Sequence, residues 1–160
     1  QDPGRTALAT RGRALRRRSR LDFPRRRPRL STVTALGFDY GERRIGVAVG
    51  QSQTRSAQAL VTLTVRNGQV DWPAIERLID EWRPQQLVVG VPGNDDGSPP
   101  ANADAIARFG RRLHGRFHLP VAFVDERLSS YAASEDPDTR RVGLDAVAAR
   151  LILETWLAGC

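Results

Sequence analysis

The chain predicts an α/β fold, a mixed sheet flanked by helices in the order βββαβαβα. Two patterns carry that reading. Apolar segments rich in β-branched residues come first and are separated by glycine-bearing turns. Beyond residue 71, stretches with helical periodicity alternate with short unbroken apolar runs, as in units whose strands are buried on both faces.

The elements follow in order. Residues 33–39 and 45–50 read as two strands joined by the turn Tyr40-Gly41-Glu42-Arg43-Arg44, a hairpin signal with glycine. Residues 59–65, Ala-Leu-Val-Thr-Leu-Thr-Val, form a third strand that Asn67-Gly68 ends with a turn. A helix begins at Asp71 with Pro73 in its first turn. Ile75, Leu78, Ile79 and Trp82 share one face, and Pro84 stops it. Leu87–Val91 is the next strand, and residues 92–100, rich in Gly, Pro and Asp, form a loop. A second helix covers about 101–117, with Ile106, Phe109, Leu113 and Phe117 on one side. Val121–Val124 is the last strand. The final helix runs from about Leu144 to Leu157 on the stripe Leu144, Val147, Ala148, Leu151, Ile152. Links of helical length between the later strands allow right-handed parallel crossovers.

Composition bounds the rest. The 160 residues suffice for one domain with its own core, and no apolar run approaches a membrane span. Cys160 is the only cysteine, which excludes an internal disulfide and accords with a reducing cytoplasm. The net charge of +7 is unevenly placed: residues 1–30 hold 11 arginines against Asp2 and Asp22, net +9, and residues 31–160 hold 14 arginines against 16 acids, net −2. Segment 1–30 has few large apolar side chains and no sustained period, so it reads as a disordered Arg-rich extension of a domain spanning 31–160. A basic arm lying on phosphates is the functional alternative, and a transit peptide a weaker one.

The chemistry gathers on carboxylates. Asp39 ends an apolar strand, where Asp is disfavoured and an unpaired buried carboxylate is costly. Asp125 and Glu126 end the last strand, and Asp145 lies in the first turn of the final helix. In an open α/β sheet such positions converge at one edge. Carboxylates meeting there repel one another, and Mg²⁺ or Mn²⁺ between them makes a hydrolytic site. Each acid also has a plainer reading. Asp39 starts a turn, Asp125 or Glu126 pairs with Arg127, and Asp145 complements the helix dipole. Glu42 reads as a solvated turn residue.

Several motifs in series resemble the YqgF/RuvX family. They are Phe38-Asp39-Tyr40-Gly41 with Arg44-Ile45-Gly46-Val47-Ala48; Val89-Gly90-Val91-Pro92 with Asp96-Gly97-Ser98; Val124-Asp125-Glu126-Arg127-Leu128-Ser129-Ser130; and Leu144-Asp145-Ala146-Val147-Ala148-Ala149. The match covers residues 33–158. It implies an RNase H-like fold, a cytoplasmic protein, and a metal-dependent nuclease acting on the 5′ end of precursor 16S ribosomal RNA, with kinship to Holliday junction resolvases. The resemblance places the catalytic and metal-holding acids at Asp39, Glu126 and Asp145, with Asp125 a further metal candidate. It adds Gly41 and Gly46 as turn positions and Arg44 as a phosphate neighbour. Arg127, Arg140 and Arg141 are the other candidates for holding nucleic acid. Gly93 replaces a larger residue of the family pattern, and segment 134–143 is shorter and less basic than usual.

The alternatives differ in class. One is a resolvase acting on branched DNA. Another is a nucleic-acid-binding assembly factor with a vestigial site. The turn Asp39-Tyr40-Gly41 also resembles phosphate-binding turns of actin-like ATPases and sugar kinases, but the domain is too short for two lobes. His114 and His118 are four apart but lack an evident third ligand, and read as exposed polar residues. Trp72, Trp82 and Trp156 read as packing residues. Arg108, Arg111, Arg112 and Arg116 form either a row that tracks phosphates or, more commonly, a solvated helix face.

One test concerns the extension. Deleting residues 1–30 should weaken non-specific nucleic-acid binding and flatten its salt dependence, with little change in melting temperature. A fall of many degrees would show that the segment belongs to the fold.

Overall fold

The computed structural model describes residues 32–93, 96–125 and 136–159. The Arg-rich segment 1–30, Glu126 and Arg127 lie outside the described residues.

Five strands form one mixed sheet: β1 Thr34–Tyr40, β2 Arg44–Gln51, β3 Ser56–Thr64, β4 Gln86–Val91 and β5 Val121–Asp125. Their spatial order is β3-β2-β1-β4-β5, with β1–β2 and β2–β3 antiparallel and β1–β4 and β4–β5 parallel. The helices are α1 Trp72–Trp82, α2 Ala103–Phe117, a four-residue turn α3 Thr139–Val142, and α4 Leu144–Ala158. This is the expected mixed sheet, with the short α3 added before the last helix. The strand β3 begins at Ser56 rather than 59. Its exposed polar start still pairs with the end of β2, and a bulge at Val47/Ala48 shifts the register between them.

Period-two alternation divides the core. Leu36 and Phe38 of β1, Ile45, Val47 and Val49 of β2, and Leu87 and Val89 of β4 pack with Ile75 of α1 and with Ile106, Phe109 and Leu113 of α2. The opposite face carries Ala35, Ala48 and Val88 against Ala149, Ile152, Leu153 and Leu157 of α4. Small residues on this second face let α4 lie close to the sheet. A Cβ at Gly37 would stand 2.9 Å from the Leu153 Cβ, and one at Gly90 would collide with the Ile152 side chain.

Caps account for the helix ends. The Asp71 carboxylate accepts the Ala74 N–H at the start of α1. Arg83 and His118 end α1 and α2 in the left-handed region, at φ 46° and 55°. The final helix departs from the expected stripe: Leu144 is 41% exposed, whereas Ala146, Ala149, Leu153 and Leu157 are buried. The helix is covered on more than one side, so a single-face stripe does not describe it. Its small residues face β2 and β1, and Ala146, Val147 and Ala148 pack with Ala59 of β3 and Val142 of α3.

Gly46 is the tightest of these approaches. It lies inside β2, not in the turn, and a Cβ there would overlap the backbone of Asp145. Gly46→Ala should therefore destabilise by about 3 kcal/mol or more, because backbone must move to make room. Gly115 of α2 has only open space where a Cβ would stand. Gly115→Ala should stabilise by about 0.5–1 kcal/mol through helix propensity. Urea unfolding of both variants checks the contrast.

Candidate metal centre

The parallel strands β1, β4 and β5 all end at one edge of the sheet, where β2 and α4 begin. Asp39 is the next-to-last residue of β1 and pairs in register with Gly46. Cross-strand partners point to the same face, so the missing side chain at Gly46 opens a space beside the Asp39 carboxylate. The first turn of α4 fills it and brings in Asp145. Three features hold that turn. Gly143 adopts φ +92°, a conformation that favours glycine. The Thr62 hydroxyl of β3 donates to the Val142 carbonyl at 2.7 Å. Val147 N–H donates to the Gly143 carbonyl at 3.3 Å.

Electrostatics distinguish the two acids. Burial, with the Asp145 charge as the lesser cause, pushes the Asp39 carboxyl up from 3.8 to about 6. Asp145 is held from outside by Arg44, whose Nε lies 3.2 Å from its Oδ2. Arg44 is therefore a partner of Asp145 here, rather than only a phosphate neighbour. Its side chain is 67% exposed, so the guanidinium still meets solvent.

The other sequence candidates fall in different places. Asp125 ends β5 on the wrong face. Val121 and Phe123 lie on the α2 side, Phe123 against Gly110, whereas Val124 packs on the α4 side. Alternation then gives Asp125 the parity opposite to Asp39. Glu126 and Arg127 lie outside the described residues. Arg141 pairs with Asp138 at 3.5 Å, and Arg140 is exposed on α3. Neither meets Asp39 or Asp145 through a described ion pair. Glu42 is exposed in the β1–β2 turn, where Gly41 N–H donates to the Arg44 carbonyl at 2.9 Å. The His114 Nδ1 lies 2.9 Å from the Leu119 carbonyl, so this ring fastens a helix end. Among the described residues no group of three His, Cys, Asp or Glu side chains is placed to hold a metal. Two are placed together, Asp39 and Asp145. A hard divalent cation suits that donor set, since it relieves both the burial of Asp39 and its repulsion by Asp145.

Reading the sequence for turns misses the role of Gly46. Glycine in the middle of an apolar strand is a signal of close backbone approach, and that signal is present here. Thr62 and Gly143 carry no comparable mark.

The raised carboxyl has a measurable consequence. Between pH 4 and 6 the folded state binds more protons than the unfolded state, so stability falls as pH rises across that interval. The shift corresponds to at most about 3 kcal/mol at neutral pH. In chelator at pH 7.5, Asp39→Asn should melt higher than wild type, and the difference should vanish near pH 4. Mn²⁺ should raise the melting temperature of wild type and not of the variant. A variant that melts lower at pH 7.5 contradicts this account of Asp39.

A protein of Pseudomonas paraeruginosa named "Putative pre-16S rRNA nuclease" is 51% identical over 130 residues, spanning 77% of this chain and 90% of its own. One of the same name from Paraburkholderia phymatum is 52% identical, spanning 79% and 86%. The solved structure of Thermus thermophilus RuvC with a Holliday junction substrate superposes with a TM-score of 0.51 at 14% identity, over 79% of this chain and 94% of that one. That likeness establishes the RNase H-like fold. The RuvX family, described as Holliday junction resolvase, matches residues 33–159, and the chain belongs to that family.

Proposed function

We propose that this chain is a metal-dependent nuclease, a phosphodiester hydrolase that processes the 5′ end of precursor 16S ribosomal RNA in the cytoplasm. The observation that carries the reading is a partly buried carboxylate, Asp39, beside a second acid, Asp145, at the edge where three parallel strands end. Its relatives at about half identity carry names of that activity.

Asp39 and Asp145 would hold Mg²⁺ or Mn²⁺, with Glu126 as the third acid. Such an ion activates water and stabilises charge on the phosphodiester. The residues of this chain supply the setting. Partial burial raises the Asp39 carboxyl. Arg44 restrains the Asp145 carboxylate and presents its remaining N–H groups outward, where a phosphate oxygen can accept them. Arg127, Arg140 and Arg141 are local positive charges of a domain whose own net charge is −2, and the Arg-rich segment 1–30 adds a net +9. Among the described residues no helix is long and apolar enough to cross a membrane.

The substrate is tested by competition. With Mn²⁺, purified protein should cut an RNA carrying the 16S 5′ leader more readily than a four-way DNA junction of equal length. The two differ in the 2′-hydroxyl and in shape, either of which a protein can read. Asp39→Asn and Glu126→Gln should each lower cleavage by at least about 100-fold, since each removes a charged ligand. Both should still bind the RNA. Symmetric nicking of the junction with an untouched leader would reassign the substrate to branched DNA. Binding without cutting, unchanged in both variants, would favour an assembly factor.

A further inference from the structure

The face of the sheet opposite α4 carries a second feature that the acid pair does not use. A cavity of about 510 Å³ opens between α2 and the Asn67-Gly68 turn, with Val70 and Trp72 on one wall and Arg112 and Arg116 on the other. A smaller cavity of about 80 Å³ adjoins it, shares Gly68, Val70 and Arg112, and extends to Arg108 and Tyr40. The two form one groove along α2, and among the described residues no acid lines either part.

Three guanidinium groups border this groove. Arg108, Arg112 and Arg116 are spaced four apart, so they stand on one side of the helix about 6 Å from one another along its axis. All three are exposed, and no described ion pair engages them. Arg116 is nonetheless held in place, since its guanidinium carbon lies 4.4 Å from the centre of the Trp72 ring. Trp72 is itself fixed by Phe109 at 5.8 Å and Phe117 at 6.3 Å between ring centroids. The pinned cation is thus part of the core's aromatic cluster. A solvated helix face needs neither a concave wall beside it nor an aromatic support under one of its cations.

The groove leads toward the acid pair. Tyr40 lines its near end and is the neighbour of Asp39 in β1, at the same sheet edge but on the other face. A chain of phosphates lying in the groove can therefore pass over the strand ends and reach Asp39. We infer that the Arg108–Arg112–Arg116 groove binds the sugar–phosphate backbone of single-stranded RNA flanking the cleaved bond. The occupant is a polyanion with a regular repeat, because the cations recur at a spacing of the same order as successive phosphates on an extended strand. The inference rests on the reading of this chain as a protein that acts on RNA, but it concerns grip and not cleavage.

The test is therefore made on binding alone, in chelator, with full-length chain and a single-stranded RNA of fixed length. The triple variant R108Q/R112Q/R116Q should bind more weakly and should flatten the plot of log affinity against log salt by about 2, from about 0.7 for each phosphate left without its arginine. The Lys counterpart R108K/R112K/R116K should keep most of the slope. Arg55, exposed at the opposite end of the sheet in the β2–β3 turn, supplies the control, and Arg55→Gln should leave the slope unchanged. Thermal melts establish that each variant is folded. An unchanged slope in the triple Gln variant overturns the inference. So does a loss per charge equal to that of Arg55→Gln, which would mean a general charge effect. Competition by poly-glutamate as effective as by RNA would also overturn it, since the groove would then be a site for acidic protein. Failure of cleavage with a steeply salt-dependent groove would count against the nuclease reading and leave this one standing.

Discussion

The approach of the first turn of α4 to β2 at Gly46 is the contact on which the site depends. A side chain at that position would occupy the backbone of Asp145. With hydrogen there instead, the helix start enters beside Asp39, and two acids separated by more than a hundred residues become neighbours. The same helix then continues over Gly37 and Gly90, where a Cβ would also run into the side chains of α4. The small residues of the sheet and the placement of the acids are one arrangement: the helix can bring Asp145 in only because the sheet lets it lie close along its whole length.

That closeness has an electrostatic cost. Partial burial of Asp39 raises its carboxyl to about 6, and the nearby Asp145 adds to the shift. Arg44 offsets part of the repulsion from the solvent side, since it sits at the start of β2 within 3.2 Å of Asp145. It does so from an exposed position, where screening limits its effect. The remaining tension is what a divalent cation would relieve at the proposed site. Charge is concentrated by the fold rather than neutralised by it, and a cation binds in proportion to what it relieves.

With the proposed site on one face and the inferred groove on the other, the two faces of the sheet would divide the handling of a polyanion. The α4 face carries the acids, which repel phosphate unless a cation stands between. The α2 face carries Arg108, Arg112 and Arg116, the last held over the Trp72 ring, and these are the groups inferred to attract it. Consecutive residues of β1, Asp39 and Tyr40, point to opposite faces and so connect the two. This distribution also reconciles a domain of net charge −2 with a nucleic-acid substrate, because binding follows the local field and not the total.

Much of this is legible in the chain. Apolar runs bounded by turn signals locate the five strands, and a period of 3.6 residues locates α1 and α2, each of which buries one face; α4 is located too, although it is covered on more than one side. The unusual Asp39 at a strand end, and the carboxylates ending other elements, mark the relevant sheet edge because strand polarity alone sends those ends to one side. Three things require the tertiary structure. The pairing of Arg44 with Asp145 depends on where a helix about 100 residues away begins. The parity of Asp125, which faces away from Asp39, depends on which side of β5 meets α2. The groove beside Arg108, Arg112 and Arg116 depends on the Asn67-Gly68 turn standing across from α2, whereas the sequence shows only a row of arginines that any solvated helix could carry. Local pattern records what an element does with its own neighbours. It holds no record of the distance between two elements, and a site assembled from three of them is defined by those distances.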